Sequence, residues 1–446
     1  MAGRAGRVPM PQLSTAEAVR TFDEVLLGYT REQAIQEAQR IRTYDLRAAQ
    51  EACPFGIDIP SFVTSIAAGD FDEALGTIRA ANPWPGIMGR HCQRMCEGGR
   101  HDGDGTETPF ISALERAAAD HGNRGLLPFR AGVPSGKRIA VAGAGSAGCA
   151  VAYRLRELGH EVALYDQLPV AGGMMFSGYP NFRLPLSLLR TEIDPVAWGA
   201  EPHHDTPLSE PLLRQLVNDY DAVVLTTGKF KELRMGIPGE DLDGVWDALH
   251  FLTQFKLGNN PKVGRRVIVC GAGYTAQDSS RTCVRLERGV RILYRRGKED
   301  MPVDPKIRDA FVARQAAEGA PYVFNTTPIR ILGENGKVAG VECVRTQPGP
   351  LDDTGRPTAV PVEGSNFTLE CDTVIEATGE IVDLSYLPRD VRVDDGHLWV
   401  DSETWMTTLP KLFAAGEMTG LRTTVTAFVS GLKAAEAVDR YLLRYG

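Results

Sequence analysis

Two glycine-rich loops constrain this chain more than any other feature. GAGSAG runs from Gly143 to Gly148, and GAGYTA from Gly271 to Ala276. Each follows an apolar run that reads as a strand, Arg138–Ala142 and Arg266–Cys270, and each opens a helical pattern. Glycine there permits a tight turn and lets the backbone approach a pyrophosphate, which then rests on the helix N-terminus. One such loop is weak evidence. Two, each between strand and helix, predict two dinucleotide sites on one polypeptide and electron transfer between them.

The residues around the loops set the organisation. The first unit runs from Lys137 to about Gly228 and closes with the strand Ala222–Leu225, then Thr226, Thr227 and Gly228. The second runs from about Gly264 to Gly379, its last strand Thr373–Ile375. A further strand, Leu412–Ala415, leads to Gly416, Glu417 and a final helix from about Val425. That order predicts a nucleotide domain interrupted by another. Upstream, Met1 to Tyr29 reads as a loose lead. From Thr30 to about Asp120 the pattern is helical, with Phe62, Ile66, Phe71 and Leu75 at near-helical spacing. Asn82–Gly89 (NPWPGIMG) reads as a loop because two prolines and two glycines break a helix, and Gly125–Gly136 as a linker.

Bulk properties narrow the class. A net charge of −8 gives no electrostatic case for nucleic acid. No apolar run reaches the roughly 18–20 residues of a membrane span, so no membrane insertion is expected. The N-terminal MAGRAGRVPMPQLST lacks a signal-peptide core. A cytoplasmic protein is expected, its eight cysteines thiols or metal ligands rather than disulfides.

The loops differ downstream. An acid about 20 residues past the glycines normally holds ribose hydroxyls. In the first unit that offset reaches Asp166, an acceptor suited to a diol. In the second it reaches Tyr294, Arg295 and Arg296. A guanidinium there suits a 2′-phosphate, although arginines after a strand can equally be solvated surface charge. The first loop therefore reads as FAD-type and the second as nicotinamide-type, NADP favoured over NAD.

Several further motifs carry a resemblance: CPFGIDIPSFVTSIAAGDFDEAL (Cys53–Leu75), NPWPGIMGRHC (Asn82–Cys92), GYPNFRLP (Gly178–Pro185), IPGEDLDGV (Ile237–Val245), YRR, and AAGE with TTV (Ala414–Glu417, Thr423–Val425). With these the chain resembles the glutamate synthase small subunit family, including the N-terminal part of dihydropyrimidine dehydrogenase and the large subunit of NADH-dependent ferredoxin:NADP oxidoreductase. The resemblance implies an α/β fold: an N-terminal helical iron–sulfur domain followed by two nested Rossmann-like nucleotide-binding domains. The expected boundaries are an extension at 1–29, a helical [4Fe-4S] domain at 30–125, a discontinuous FAD domain at 126–235 and 380–446, and an NAD(P) domain at 236–379.

By that resemblance FAD is expected on Gly143, Gly145, Ser146, Ala147 and Gly148, on Asp166, Gly173 and Arg183, on Thr227 and Gly228, and on Gly416, Glu417, Thr424 and Val425. Glu417 stands where the family has the shorter Asp. The nicotinamide nucleotide is expected on Gly273, Tyr274, Thr275 and Ala276, with Arg295, Arg296 and Gly379. The family has four early cysteines and four later ones that share two [4Fe-4S] clusters, with one ligand place filled by Glu or Gln. Four are replaced here, by Ile41, Tyr44, Ala49 and Arg100, none a ligand for cluster iron. The other set maps to Cys53, Cys92, Cys96 and Glu115, which implies one retained [4Fe-4S] cluster. Three cysteines filling core space would look the same. Cys149, Cys270, Cys283, Cys343 and Cys371 read as structural, and no C-x-x-C lies near the flavin motifs.

The function expected is an NAD(P)H-dependent FAD oxidoreductase subunit relaying electrons between NAD(P)(H), FAD, one [4Fe-4S] cluster and a partner. The partner is an iron–sulfur or ferredoxin-like subunit, or a larger redox catalytic subunit. Two alternatives stay open: a cluster-free flavin reductase whose helical domain only docks a partner, and a flavin-bifurcating subunit. No side-chain acid or base is required, so no catalytic residue is expected.

Overall fold

The computed structural model describes residues 6–42, 45–98, 109–123, 129–194, 196–305, 307–352 and 355–445. Tyr44, Arg100 and Gly125–Pro128 of the expected linker lie outside them.

The first helices are bounded by local capping. Thr30 and Gln33 form a reciprocal box at the start of α1 (Arg31–Ile41). Asp58 caps α2 (Ile59–Ala67) and Asp70 caps α3 (Phe71–Arg79). The spacing of Phe62, Ile66, Phe71 and Leu75 thus spans two helices, because Gly69 turns the chain at φ +85°. All four side chains are buried, together with Ile41 and with Leu114 of α5 (Ile111–His121).

The expected loop at Asn82–Gly89 is a helix from Pro85 onward, α4 (Pro85–His91). Proline is favoured at the first helical position, where its missing N–H costs nothing. The glycines serve close packing: a Cβ on Gly89 would lie 2.5 Å from the Arg116 backbone nitrogen on α5.

The lead, described from Gly6 onward, is not loose. Gln12 and Leu26 bridge antiparallel, and a single helical turn, Thr15–Ala18, starts at Ser14. The Val25 N–H donates to Phe182 O at 3.1 Å, and Glu24 pairs with Arg90 and Arg116 at 2.7 and 3.1 Å. This segment is a strap across three parts of the molecule.

Two five-stranded parallel sheets follow. The first contains β1 (Arg138–Ala142), β2 (Glu161–Tyr165), β3 (Glu201–His203) and β4 (Ala222–Leu225); helix α6 (Ser146–Glu157) follows β1. The chain leaves through β5 (Lys229–Glu232) and builds the second sheet from β6 (Val245–Asp247), β7 (Arg266–Cys270), β8 (Gly289–Leu293) and β9 (Tyr322–Val323). Helix α7 (Ala248–Lys256) follows β6, α8 (Tyr274–Arg285) follows β7, and α9 (Arg308–Ala317) precedes β9. An antiparallel excursion comes next: β10 (Thr326–Glu334), β11 (Lys337–Leu351), β12 (Pro357–Pro361) and β13 (Phe367–Glu370). Strand β14 (Thr373–Glu376) re-enters the second sheet, and β15 (Glu380–Val382) returns antiparallel to β5. Strand β16 (Leu412–Ala414) joins the first sheet beside β4, and α10 (Thr424–Tyr445) ends the chain.

The sheet orders are β16-β4-β1-β2-β3 and β6-β14-β7-β8-β9. Their central strands, RIAVA, AVVL and RVIVC, are almost continuously apolar and buried, as parallel strands covered on both faces require. The chain is α/β, a helical region followed by Rossmann-like parallel sheets. Among the described residues no helix is long and apolar enough to cross a membrane.

Candidate functional site

Both glycine loops sit at the carboxyl edge of their sheets, where open α/β sheets place ligands. At the first, Gly143 has φ +111°, and Gly148 packs so closely that a Cβ would reach to 1.7 Å from Gly143 O. Thr226 Oγ1 donates to Gly143 O at 2.7 Å and fixes the turn from β4. Gly145 caps α6 without any side-chain hydrogen bond, leaving the first N–H groups of the helix open. Gly173, at φ +48°, faces Gly145 so closely that a Cβ would meet its Cα at 2.6 Å. Ser146 is half-buried and Ala147 buried at the helix start. This open, side-chain-free N-terminus fits a pyrophosphate.

Asp166 accepts from Ala144 N at 2.5 Å and from Leu168 N at 2.8 Å, so its carboxylate ties β2 to the loop. Burial pushes its pKa up against those two bonds. Gly416, at φ +83°, lies against Ala147, where a Cβ would stand 2.8 Å away. Beside it Glu417 is 3.8 Å from Lys229. Thr227 Oγ1 shares a 2.7 Å hydrogen bond with Tyr386 OH, and Gly228, at φ +66°, faces open space. Thr424 Oγ1 meets Tyr179 OH at 2.9 Å, and Val425 is fully buried. These expected FAD residues gather at one sheet edge.

The second site repeats the geometry. Gly271 (φ +145°) packs against Ala377 O, and Gly273 caps α8 with no side-chain bond. Tyr274 is exposed at the mouth, Thr275 is half-buried and Ala276 fully buried. Gly379, at φ +123°, has no neighbour within 4 Å of a built Cβ. The two arginines after β8 separate in role. Arg296 is buried and bonds Asp352 Oδ2 at 2.5 Å and Pro357 O at 2.6 Å. Arg295 is exposed.

Arg183 is not confined to the first site. Its guanidinium pairs with Asp278 of α8 and lies 5.0 Å from the Tyr179 ring centroid. Asp278 and Tyr179 hold it charged against burial. Lys256, at the end of α7, donates to Tyr179 O at 2.6 Å, and burial pulls its pKa down to about 7. His91 of α4 stacks on Tyr179 at 4.4 Å. Sequence reasoning missed Lys256, Asp278 and His91. One signal was present for Asp278: the QDSSRT run is polar, yet a helix at that position must pack on its sheet, and all six residues are buried.

The expected [4Fe-4S] cluster is overturned. Among the described residues no group of three or more His, Cys, Asp or Glu can hold a metal ion. Cys53, Cys92, Cys96 and Glu115 do line one void, but it measures about 20 Å³ and its remaining lining is apolar, room for about one water. Burial, with Glu115 adding to it, pushes Cys92 up to about 12, and burial with Glu97 pushes Cys96 higher still. Glu115 is raised to about 8 by burial, and its Oε1 already accepts from Asn82 Nδ2 at 2.7 Å. The residues do not fit the cluster, and the expected electron relay through it falls with it.

Residues 137–431 match the family model described as pyridine nucleotide-disulphide oxidoreductase. Residues 18–125 match dihydropyrimidine dehydrogenase domain II, 4Fe-4S cluster. The glutamate synthase [NADPH] small chain of Escherichia coli (strain K12) is 34% identical over 94% of this chain and 94% of its own length. This chain belongs to the glutamate synthase small subunit-like NAD(P)H:FAD oxidoreductase family. The counterpart from Azospirillum brasilense is 32% identical over 96% and 92%. The NADP(+)-dependent formate dehydrogenase subunit beta of Moorella thermoacetica is 36% identical, over 87% of this chain and 59% of the relative. The chain likewise spans 57% of the length of the NADPH-Fe(3+) oxidoreductase subunit beta of Geobacter sulfurreducens. In fold it is similar to Mycobacterium tuberculosis FprA in complex with NADPH, with a TM-score of 0.54 and 17% identity over 69% of this chain and 84% of that one. Thioredoxin reductase of T. acidophilum gives 0.52 and 21%, over 69% and 99%.

Proposed function

We propose that this protein is an NAD(P)H-dependent flavin oxidoreductase whose helical region docks a partner and holds no cluster. One observation carries the reading: two uncapped, glycine-fronted helix N-termini at two parallel sheet edges, joined through Arg183–Asp278. FAD at the first edge and a nicotinamide dinucleotide at the second supply hydride transfer when bound. The chain's own residues bind and orient. Gly143, Gly145, Gly148 and Gly173 admit the FAD pyrophosphate, and Asp166 secures the loop beneath it. Gly273, Tyr274, Thr275, Ala276 and Gly379 do the same for the nicotinamide nucleotide. Exposed Arg295 answers a 2′-phosphate, which favours NADP, whereas Arg296 is already committed to Asp352.

Relatives named as a small chain or a subunit beta support a partner subunit. Exposed Met95 and Leu27 give the helical region and strap apolar surface for it. Eight unpaired cysteines support a reducing, cytoplasmic compartment.

The test is cofactor and iron content of anaerobically purified protein, followed by dye reduction with NADPH or NADH. About one FAD per chain, less than about one iron, and nicotinamide-driven dye reduction are expected, against about four irons for a [4Fe–4S] protein. Protein that carries no flavin, or reduces no dye, overturns the reading.

A further inference from the structure

The strap closes on itself around a residue from elsewhere. The Leu13 N–H donates to Val25 O at 3.0 Å, and the Leu27 N–H donates to Pro11 O at 2.8 Å. Ala18 and Val25 are buried in this small fold, Leu13 and Phe22 pack beside them, and Phe182 of the first sheet unit completes it. Two guanidinium groups of α8, in the second unit, also lie over the Phe182 ring, Arg285 at 4.0 Å and Arg281 at 4.7 Å from its centroid. Glu318 fixes both arginines, at 3.1 and 2.8 Å. Phe182 is therefore held by the strap and by α8 together.

Three further strap contacts fall beside the residues that join the two units. The Val25 N–H donates to Phe182 O at 3.1 Å, and the next residue is Arg183, the partner of Asp278. Phe22 packs on Phe255 at 4.9 Å, and the next residue is Lys256, which donates to Tyr179 O. Thr21 O accepts from Arg285 Nε at 2.9 Å, on the helix that carries Asp278. Between these positions Glu24 pairs with Arg90 and Arg116 of the helical region. The covalent connection between the units is thin by comparison. It is the two-stranded ribbon of β5 and β15, four residues and three. Two strands alone are marginal, and domains move relative to one another unless contacts beyond the linker oppose it.

We propose that Phe22 and Glu24 are positioning residues for electron transfer from the nicotinamide nucleotide to the flavin. Phe22 holds the second unit at a fixed angle to the first, and Glu24 anchors that grip on the helical region. The inference rests on the NAD(P)H–flavin reading and goes beyond it, because neither residue belongs to a nucleotide loop. A fixed angle matters to this reaction: a misplacement of about 1 Å costs a transfer step on the order of a hundredfold.

Anaerobic stopped-flow reduction of the flavin in the full chain by NADPH and by NADH tests it, paired with hydrogen exchange of the nucleotide-free protein. Phe22→Ala is expected to slow reduction at saturating nucleotide about tenfold or more, with the half-saturating concentration changed less than about twofold. It should also speed exchange in β5 and β15, and Phe22→Tyr should restore both. Glu24→Gln should slow reduction in the same sense with FAD content unchanged. An unchanged rate per bound flavin in both alanine and glutamine variants overturns the positioning role and leaves the oxidoreductase reading standing. So does a loss of rate that matches a loss of bound flavin, or ribbon exchange that stays at the wild-type rate. Wild-type flavin that neither nucleotide reduces overturns the oxidoreductase reading, and the positioning role falls with it.

Discussion

At the scale of single residues, the buried pair Arg183–Asp278 and the buried ammonium of Lys256 join the two nucleotide units. Asp278 is 1% exposed, so Arg183→Ala strands its carboxylate. That should cost about 3 kcal/mol in urea unfolding, and Arg183→Ala/Asp278→Ala should recover part of it. Lys256 gives a pH signature. Its folded pKa of about 7 lies below its ordinary 10.5, so between those values the unfolded chain binds more protons and stability rises with pH. Lys256→Met should flatten that rise between pH 7 and pH 10, and an unchanged slope would refute the assignment. The glycine loops and Asp166 were legible in the sequence because their chemistry is local. Arg296 was not: it satisfies the same offset as Arg295, and only the hairpin's arrival shows that its guanidinium is taken.

At the scale of elements, helix α4 and the strap differ most from what sequence patterning suggests. Both prolines and glycines in NPWPGIMG look like breakers, yet Pro85 starts the helix and Gly89 lets α4 approach α5. Gly89→Ala should therefore destabilise by about 1–3 kcal/mol through overpacking, measurable as a lowered thermal midpoint, despite alanine's better helix propensity. The strap carries no strong periodicity, because its contacts are made one at a time with distant parts. Phe22 packs on Phe255 at 4.9 Å, and Arg285 Nε donates to Thr21 O at 2.9 Å. Phe22→Ala should speed hydrogen exchange in α7 and α8 and leave β1 and β4 unaffected.

At the scale of the whole molecule, the two parallel-sheet units were readable and the junction was not. Two strand–loop–helix units announce two sheets, whereas the β5–β15 ribbon that joins them is short and polar. Carboxylates crowd around it. Burial raises Glu376, beside Glu240, Glu232 and Arg234, to about 7, and raises Glu380, beside Asp247 and Glu417, to about 7. Both lie above the ordinary 4.5, so folding takes up protons between those values and stability falls as pH rises through that window. Glu376→Gln should stabilise the protein at pH 8 by about 1–3 kcal/mol and make no difference at pH 4. The cluster expectation failed at the same scale: the expected ligand identities lie along the chain, yet among the described residues they form no group that could hold a metal ion. Trp84 shows why the helical region remains all the same. Its indole is wholly buried, stacked on Phe428 of α10 at 4.3 Å, while Glu192 from the first parallel-sheet unit caps α4 through Gly86 and Ile87 at 2.8 Å each. The helical region is thereby a retaining wall for the first sheet unit, and taking it away would uncover Trp84 and Phe428 together.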